Sequence, residues 1–394
     1  MKIHTKAVHA GDRKKPSEQI PVTTPIYAAA SFIAGSTEQV DRIFSQEEDG
    51  YAYSRYENPT AAALEEVVTA LEGGHGTLAC ASGMAALQVA ILTALTDRPK
   101  SVLAADALYG ATYRLLWNVL EPLGIESSLV DICDPGAVEA AIADRRPGCV
   151  LMETVSNPLL RVGAVDKIAA LTRAAGCVLV VDNTFATPML VRPLEHGADI
   201  VMHSATKYLS GHGDVLGGLV TASEAHFANL RALSRTTGPV LGPFEAYLSM
   251  RGIKTFPLRM ERQCSNARLI AAWLRKHPQV DRVFYTDDPD HPDASTIKRL
   301  LPEGLYGAMV SFEVKGAGTQ QDIFRFMDRL NLIVRATSLG DVHTMMLYPP
   351  ISSHRDIAPK QRQRMGIREN LVRLSVGIEN VEDILADLDQ ALAG

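Results

Sequence analysis

The chain has 394 residues, of which 46% are hydrophobic and 21% are charged, a composition typical of a globular protein with sizeable cores. The 39 Lys and Arg residues and 45 Asp and Glu residues give a net charge of −6, which argues against a nucleic-acid-binding protein because such proteins normally carry a basic face. Five cysteines without a Cys-x-x-Cys pair argue against a disulfide framework and favour buried thiols in a reducing compartment. A chain of this length needs no structural metal to fold, and we expect none.

Residues 1–60 predict an irregular N-terminal arm, which is interrupted by prolines and rich in tyrosine near its end. A long segment without periodicity is either disordered or wraps another body, and the aromatic content favours contact with a neighbouring subunit. The first six residues lack the apolar run of a secretory signal peptide. The most apolar long stretch, 83–95, is too short to span a bilayer, so we expect a cytoplasmic protein without membrane contact.

Residues 61–250 alternate between short apolar segments and helical patterns, which predicts an α/β domain with a largely parallel sheet covered on both faces. In such sheets ligands bind beyond the carboxyl ends of the strands. The predicted strands are 101–104, 127–130, 149–153, 177–181, 199–202 and 218–221, and the predicted helices are 61–72, 84–95, 112–120, 137–143 and 165–175. Residues 251–394 predict a smaller α+β domain, with strands at 280–285, 308–314 and 371–375 and a last helix at 381–392.

A carboxylate closes one of the most apolar strands, where Asp182 follows four aliphatic residues. A carboxylate in such a place is costly unless it is paired or hydrogen-bonded. It can be a helix cap or part of a buried salt bridge, both common at strand ends, or it can face a cationic ligand. Taken alone, Asp182 leaves these alternatives open.

The next strand ends in two hydroxyls and an amine, Ser204, Thr206 and Lys207. Such a group suits a phosphate together with a nucleophilic amine, although a surface lysine before a glycine-rich loop would look the same. Upstream, Gly83 and Met84 open a helix, whose free N–H groups can bind an anion. Most helix starts of this kind are only caps.

These features together supply a nucleophilic amine, a carboxylate for a heteroaromatic cation and a cup for a phosphate. Pyridoxal 5′-phosphate (PLP) requires those three groups, because its ring accepts electrons from the substrate while its nitrogen is kept protonated. The residues therefore predict PLP as the cofactor.

The longer motifs around these residues resemble those of the Cys/Met-metabolism (trans-sulfuration) family of PLP-dependent enzymes, which includes γ-synthases, β- and γ-lyases and homoserine-ester sulfhydrylases. The resemblance covers nearly the whole chain and is most specific around the lysine. It is carried by residues 7–11, 53–60, 109–112, 156–158, 181–188, 203–214, 338–340 and 373–379. It implies a fold type I enzyme with a mostly parallel seven-stranded sheet in the large domain, assembled as a homotetramer of two catalytic dimers.

The resemblance also implies a role for each matching residue. Lys207 would hold the cofactor and move protons, Asp182 would pair with the ring nitrogen, and Tyr109 would stack on the ring and act as an acid. The residues implied in phosphate binding are Gly83, Met84, Ser204 and Thr206 of one subunit with Tyr53 and Arg55 of its neighbour. The residues implied in binding the α-carboxylate of an amino-acid substrate are Arg373, Asn157 and Ser338.

Three positions bear on the distal end of the substrate, and two of them depart from the pattern of cystathionine-cleaving relatives. Ala52 stands where an acid is frequent, and His343 replaces a usual glutamate, whereas Arg114 matches the γ-synthases and cystathionine γ-lyases. These residues predict that cystathionine is a poor substrate and that smaller or differently charged γ-substituents are better. The alternative is that Arg114 pairs with a nearby acid and that His343 packs against residues 345–350.

The implied reaction is γ-elimination on a homocysteine or homoserine derivative, which releases the γ-group and gives 2-oxobutanoate and ammonia. The first alternative is γ-replacement through a related intermediate, and the second is β-elimination. The alternative from another functional class is a non-catalytic ligand-binding protein with the same fold. The sequence leaves the identity of the γ-leaving group open: it can be a thiol, cysteine, an acyl group or a hydroxyguanidine.

Overall fold

The computed structural model describes residues 1–10, 20–355, 357 and 359–394. In the described part of the N-terminal arm, helix α1 spans Ile3–His9 and helix α2 spans Thr37–Phe44. The prediction of an irregular arm over residues 1–60 missed these two helices, each of only seven or eight residues. Between and beyond them the described arm is largely irregular, and residues 11–19 of it lie outside the described residues.

Within the described residues, seven strands form the larger sheet, in the order β1-β7-β6-β5-β4-β2-β3. Strand β7 runs antiparallel to both of its neighbours, and the other pairs are parallel. The prediction of a mostly parallel seven-stranded sheet is confirmed. The strands are β1 (Gly76–Cys80), β2 (Ser101–Ala105), β3 (Glu126–Val130), β4 (Cys149–Glu153), β5 (Val178–Asp182), β6 (Ile200–Ser204) and β7 (Gly218–Ala222).

The central strands of this sheet are buried on both faces, which explains their unbroken aliphatic sequences. Helices cover the two faces, and several begin at side-chain caps: Ser82 accepts the backbone N–H of Ala85, and Asp134 accepts those of Gly136 and Ala137. These helices are α3 (Pro59–Glu72), α4 (Gly83–Ala94), α5 (Gly110–Arg114), α6 (Pro135–Arg145), α7 (Val165–Ala175), α8 (Thr187–Leu190), α9 (Glu224–Thr237) and α10 (Pro243–Ile253).

The C-terminal part contains a second sheet in the order β10-β11-β12-β9-β8, with its own apolar core against helices. The predicted domain boundary after residue 250 falls within α10. Two short strands, β10 and β11, were not predicted, because neither shows a strand pattern longer than three residues. The elements are α11 (Phe256–Leu274), β8 (Val280–Phe284), α12 (Ala294–Leu300), β9 (Met309–Val314), α13 (Gln320–Asp328), β10 (Val334–Arg335), β11 (Met345–Leu347), α14 (Pro359–Arg364), β12 (Leu371–Ser375) and α15 (Val381–Ala393).

The two sheets face a common cavity. The carboxyl ends of β4, β5 and β6 reach it from the larger sheet, and β12 and residues 337–339 reach it from the smaller one. In the part of the chain that the structure describes, no helix has both the length and the apolar character needed to cross a bilayer.

Candidate active site

A cavity of about 410 Å³ lies at the carboxyl ends of β4, β5 and β6, where ligands bind in sheets of this type. It brings together residues that are far apart in the sequence. The predicted site residues that line it are Gly83, Met84, Tyr109, Arg114, Asn157, Asp182, Ser204, Thr206, Lys207 and Arg373.

Lys207 follows β6 and points its amine into this cavity. Its Nζ donates a hydrogen bond of 3.0 Å to Oγ of Ser338, which places Ser338 at the same site. Burial lowers the pKa of Lys207 to about 8, and the positive charge of Arg373 lowers it as well. About a tenth of the amine is therefore neutral at pH 7, far more than for an ordinary lysine, and the neutral form is the one that acts as a nucleophile or base.

Asp182 closes β5 and faces the cavity beside the lysine. The backbone N–H of Thr184 donates to Oδ1 of Asp182 at 2.9 Å. Burial raises the pKa of Asp182, while the hydrogen bonds from Thr184 and the charge of His203 oppose that rise. The buried His203 itself contacts a carboxyl, since its Nε2 lies 2.5 Å from Oε1 of the buried Glu72.

The N-terminus of α4 and the turn after β6 form one end of the cavity. A Cβ atom at Gly83 would lie 2.8 Å from Cβ of Ser204, so only glycine lets the helix start approach the strand this closely. The hydroxyl of Thr206 accepts the backbone N–H of Gly217 at 3.0 Å. Helix N–H groups and two hydroxyls thus converge on one end of the cavity, which suits a phosphate.

Arg373 lies on β12 and forms the opposite wall, where it is only 3% exposed. Its Nη1 donates to Oδ1 of Asn157 at 2.9 Å, and its Nη2 donates to the carbonyl oxygen of Ser338 at 3.3 Å. Its Nε is buried without a hydrogen-bond partner. Burial lowers the pKa of Arg373 to about 10, so the guanidinium remains charged at neutral pH. A buried, charged donor without an acceptor is costly, and an anionic ligand at this wall would satisfy it.

Tyr109 lies at the N-terminus of α5 and is 43% exposed. Its backbone N–H donates to Oε1 of Glu153 at 2.6 Å, which ties the α5 start to the end of β4. Arg114, at the end of the same helix, also lines the cavity.

Three predicted site residues are not brought to the cavity of their own chain. Tyr53 and Arg55 lie elsewhere, and the guanidinium of Arg55 packs over the ring of Tyr56 and donates to the carbonyl oxygen of Arg235. The side chain of His343 is 64% exposed, because Oδ1 of the buried Asp341 accepts both its backbone N–H at 3.1 Å and its Nδ1 at 2.8 Å. The substrate contact predicted for His343 is therefore not formed within this chain.

Sequence reasoning missed Glu153, Ser352 and Ser353, which also line the cavity. Glu153 closes the apolar strand β4 as Asp182 closes β5, so the same pattern would have found it. The two serines lie in an irregular segment after β11, where no local pattern marks them as ligands.

The residues present fit PLP. A phosphate would be held by the α4 N-terminus with Ser204 and Thr206, the ring nitrogen would face Asp182, and the reactive carbonyl would face Lys207. Within the ranges that the structure describes, no three His, Cys, Asp or Glu side chains are arranged to hold a metal ion. Fold and site together define a PLP-dependent enzyme of fold type I.

Comparison with known proteins makes this assignment more specific. Residues 4–393 match the family model of the Cys/Met metabolism PLP-dependent enzymes. The chain is 40% identical to an L-methionine γ-lyase of Fusobacterium nucleatum over 99% of its length and 98% of that protein. It is 41% identical to a cystathionine γ-lyase of Bacillus subtilis over 100% of its length and 99% of that protein. The crystal structure of a cystathionine γ-synthase from Xanthomonas oryzae in complex with cystathionine superposes with a TM-score of 0.92 at 34% identity, covering 100% of this chain and 98% of the other.

The chain therefore belongs to the Cys/Met-metabolism family of PLP-dependent enzymes, and PLP is its cofactor. The predictions of family, fold type, enzyme class and cofactor are confirmed.

Proposed function

We propose that this enzyme catalyses γ-elimination on a γ-substituted L-amino acid, with release of the γ-group, 2-oxobutanoate and ammonia. The observation that carries the proposal is the position of Ser338 between two functional groups. Its Oγ accepts from Nζ of Lys207 at 3.0 Å, and its carbonyl oxygen accepts from Nη2 of Arg373 at 3.3 Å. The amine and the guanidinium thus both contact Ser338, so an amino acid bound here would meet the lysine with its Cα–H and the arginine with its α-carboxylate.

Arg373 and Asn157 bind the α-carboxylate in this proposal. The unpartnered Nε of Arg373 supplies a charged donor, and the bond from Nη1 to Asn157 keeps the guanidinium plane fixed. Planar, fixed donors favour a two-point contact with a carboxylate, which orients the Cα–H bond toward the lysine.

Lys207 moves protons at two carbons of the substrate. When bound, PLP supplies an electron sink that stabilises negative charge at the substrate Cα. The neutral amine of Lys207 would take the Cα proton, return it to the bound substrate and cofactor, and then, neutral again, take a Cβ proton; the lowered pKa of about 8 suits this exchange. The buried carboxyl of Asp182 would hold a proton on the ring nitrogen.

Tyr109 lies on the open side of the cavity, where its phenol can give a proton to the departing γ-group. The apolar side chains of Leu216, Leu339 and Leu347 form part of the lining of the same cavity. An apolar lining favours a small γ-thioether over a γ-substituent that carries a second ammonium and carboxylate. We therefore propose methionine-like substrates, with cystathionine cleaved poorly.

The experiment is a substrate panel with purified holoenzyme. Methionine, cystathionine, homocysteine and O-acyl-homoserines are supplied with and without an added thiol, and 2-oxo acid, ammonia and thioether products are measured. Release of 2-oxobutanoate without thiol supports γ-elimination. The similarity to a γ-synthase favours γ-replacement as the second candidate, which a thioether product formed only with added thiol would establish instead. Pyruvate as the main product would indicate β-elimination.

We further propose that each active site is completed by a second copy of the chain, in a homotetramer of two catalytic dimers. Helix α2 buries none of its residues, and the arm exposes Val22, Ile33 and Phe44. Tyr53 and Arg55 follow on the same arm and would reach the phosphate end of the neighbouring cavity. The described cysteines are free thiols, which supports a reducing, cytoplasmic location.

Mixed subunits test the shared site. Arg55→Ala and Lys207→Ala chains are each inactive in this proposal, but a hybrid dimer of the two contains one intact site. Recovery of activity on mixing supports the shared site. If labelled subunits exchange and no activity returns, the arm acts within its own subunit.

A further inference from the structure

Carboxyl groups lie in a row along the carboxyl ends of three neighbouring strands. Glu153 closes β4 in register with Asp182 on β5, and Asp106 follows β2 on the other side of β4. Like charges on adjacent strands repel strongly where water is excluded. The neighbouring Asp182 therefore disfavours a negative charge on Glu153.

Glu153 is also enclosed. It is 7% exposed and forms part of the wall between the active-site cavity and a second cleft of about 600 Å³ beside Asp106. Its Oε1 accepts the backbone N–H of Tyr109 at 2.6 Å, and its Oε2 accepts that of Asn157 at 3.2 Å. Both carboxyl oxygens of Glu153 therefore hold a backbone N–H, one from the start of α5 and one from the loop after β4.

The charged groups around the two carboxyls place the proton on Glu153. Burial raises the pKa of Glu153 well above its ordinary value, the charge of Asp182 raises it further, and Arg373 on β12 opposes both effects. The pKa of Asp182 is also raised by burial, but hydrogen bonds from Thr184 and the charge of His203 lower it. Two interacting carboxyls titrate as a pair, so one of them keeps its proton over a range of pH in which the other is ionised. Other titratable groups line the cavities on either side of Glu153. They include Lys207, Tyr109 and Arg114 in the active-site cavity, and Asp106, Asp131, Cys133 and Arg161 in the second cleft.

We propose that Glu153 acts as a positioning residue in its neutral, carboxylic acid form. It holds Tyr109 and Asn157 in place through their backbone N–H groups. Asp182 is then the ionised member of the pair and the one that faces the ring nitrogen. This inference rests on the proposed roles of Tyr109, Asn157 and Asp182, and it adds a residue to which neither the motifs nor the proposed mechanism gave a role.

Infrared spectroscopy of the holoenzyme tests the protonation state directly. At neutral pH we expect a carboxylic acid C=O band that shifts when glutamate is labelled with ¹³C. The band is lost in Glu153→Gln and retained in Glu126→Gln, a matched change at an exposed strand position. In Asp182→Asn, alkaline titration should remove the band at a lower pH than in the wild type, because the negative charge that raises the pKa of Glu153 is gone. Absence of the band from the wild type, or its survival in Glu153→Gln, overturns the proposal.

Kinetics test the positioning role. Glu153→Gln keeps an acceptor for the N–H of Tyr109 and should lower kcat by less than about tenfold, whereas Glu153→Leu leaves two N–H groups unpaired and should lower it by about tenfold to a hundredfold. Equal kcat values for the two variants would overturn the role. If the leucine variant does not fold, the infrared band and the glutamine variant still decide.

The infrared result does not depend on turnover. A wild-type enzyme without γ-elimination activity would reject the proposed function, whereas a missing acid band in an active enzyme would reject only the inference about Glu153.

Discussion

Replacing the active-site lysine with methionine should stabilise the cofactor-free protein. Methionine has a similar length and no charge, so Lys207→Met removes the cost of holding an ammonium group in a buried place. The pKa of Lys207 falls from 10.5 to about 8 in the folded chain. That lowering corresponds to about 3 kcal/mol of unfavourable free energy for the protonated form. Loss of the bond to Ser338 offsets about 1 kcal/mol, which leaves a net gain of about 2 kcal/mol at pH 7.

The sign of the pH dependence follows from the lowered pKa. Below pH 8 the amine is charged in both the folded and the unfolded chain, and the folded state carries the full cost. Between pH 8 and 10.5 the folded chain holds fewer protons than the unfolded one, so wild-type stability rises with pH. The advantage of Lys207→Met should therefore be largest below pH 8 and vanish toward pH 10.5.

Urea unfolding of both proteins without PLP, at one fixed subunit concentration, measures this difference, since assembly also contributes to stability. The exposed Lys276→Met is the matched control and should change the free energy of unfolding by less than about 0.5 kcal/mol. A less stable Lys207→Met protein, or a gain that does not change with pH, would refute the reasoning.

Three further outcomes are expected. Arg373→Lys should lower kcat/KM at least about a hundredfold, because two guanidinium hydrogen bonds and the unpartnered Nε are lost. The absorption band of the bound cofactor should be retained. The control is the surface change Arg335→Lys, which should not alter kcat/KM. Gly83→Ala should weaken PLP binding about tenfold in equilibrium dialysis, because the added Cβ would lie 2.8 Å from Cβ of Ser204. An unchanged dissociation constant for PLP would contradict this close packing. The rate at which PLP attaches to Lys207 in the cofactor-free enzyme should rise with pH and level off above about 8, whereas a rise continuing to 10.5 would show an unperturbed amine.

The large sheet was predictable because its signals are local. Aliphatic runs such as β4 and β5 are the residues that a strand buried on both faces requires, and the helices between them force parallel pairing. The predicted strand bounds differ from the observed ones by one or two residues at most. Strand β11 escaped prediction because its pairing partner, β12, lies 26 residues further along the chain and supplies the contacts that hold it.

The cofactor end of the site was also determined by the sequence, because Asp182 and Lys207 follow adjacent parallel strands and the carboxyl ends of such strands meet at one edge. The opposite wall of the cavity was predicted only through the family resemblance, and tertiary structure decided which of its residues meet. Arg373 reaches Asn157 across 216 residues, and His343 turns to solvent because Asp341 holds it there. The raised pKa of Glu153 likewise depends on its burial and on Asp182 beside it. Contacts and electrostatic fields of this kind arise only when distant segments pack together, so no local pattern of residues encodes them.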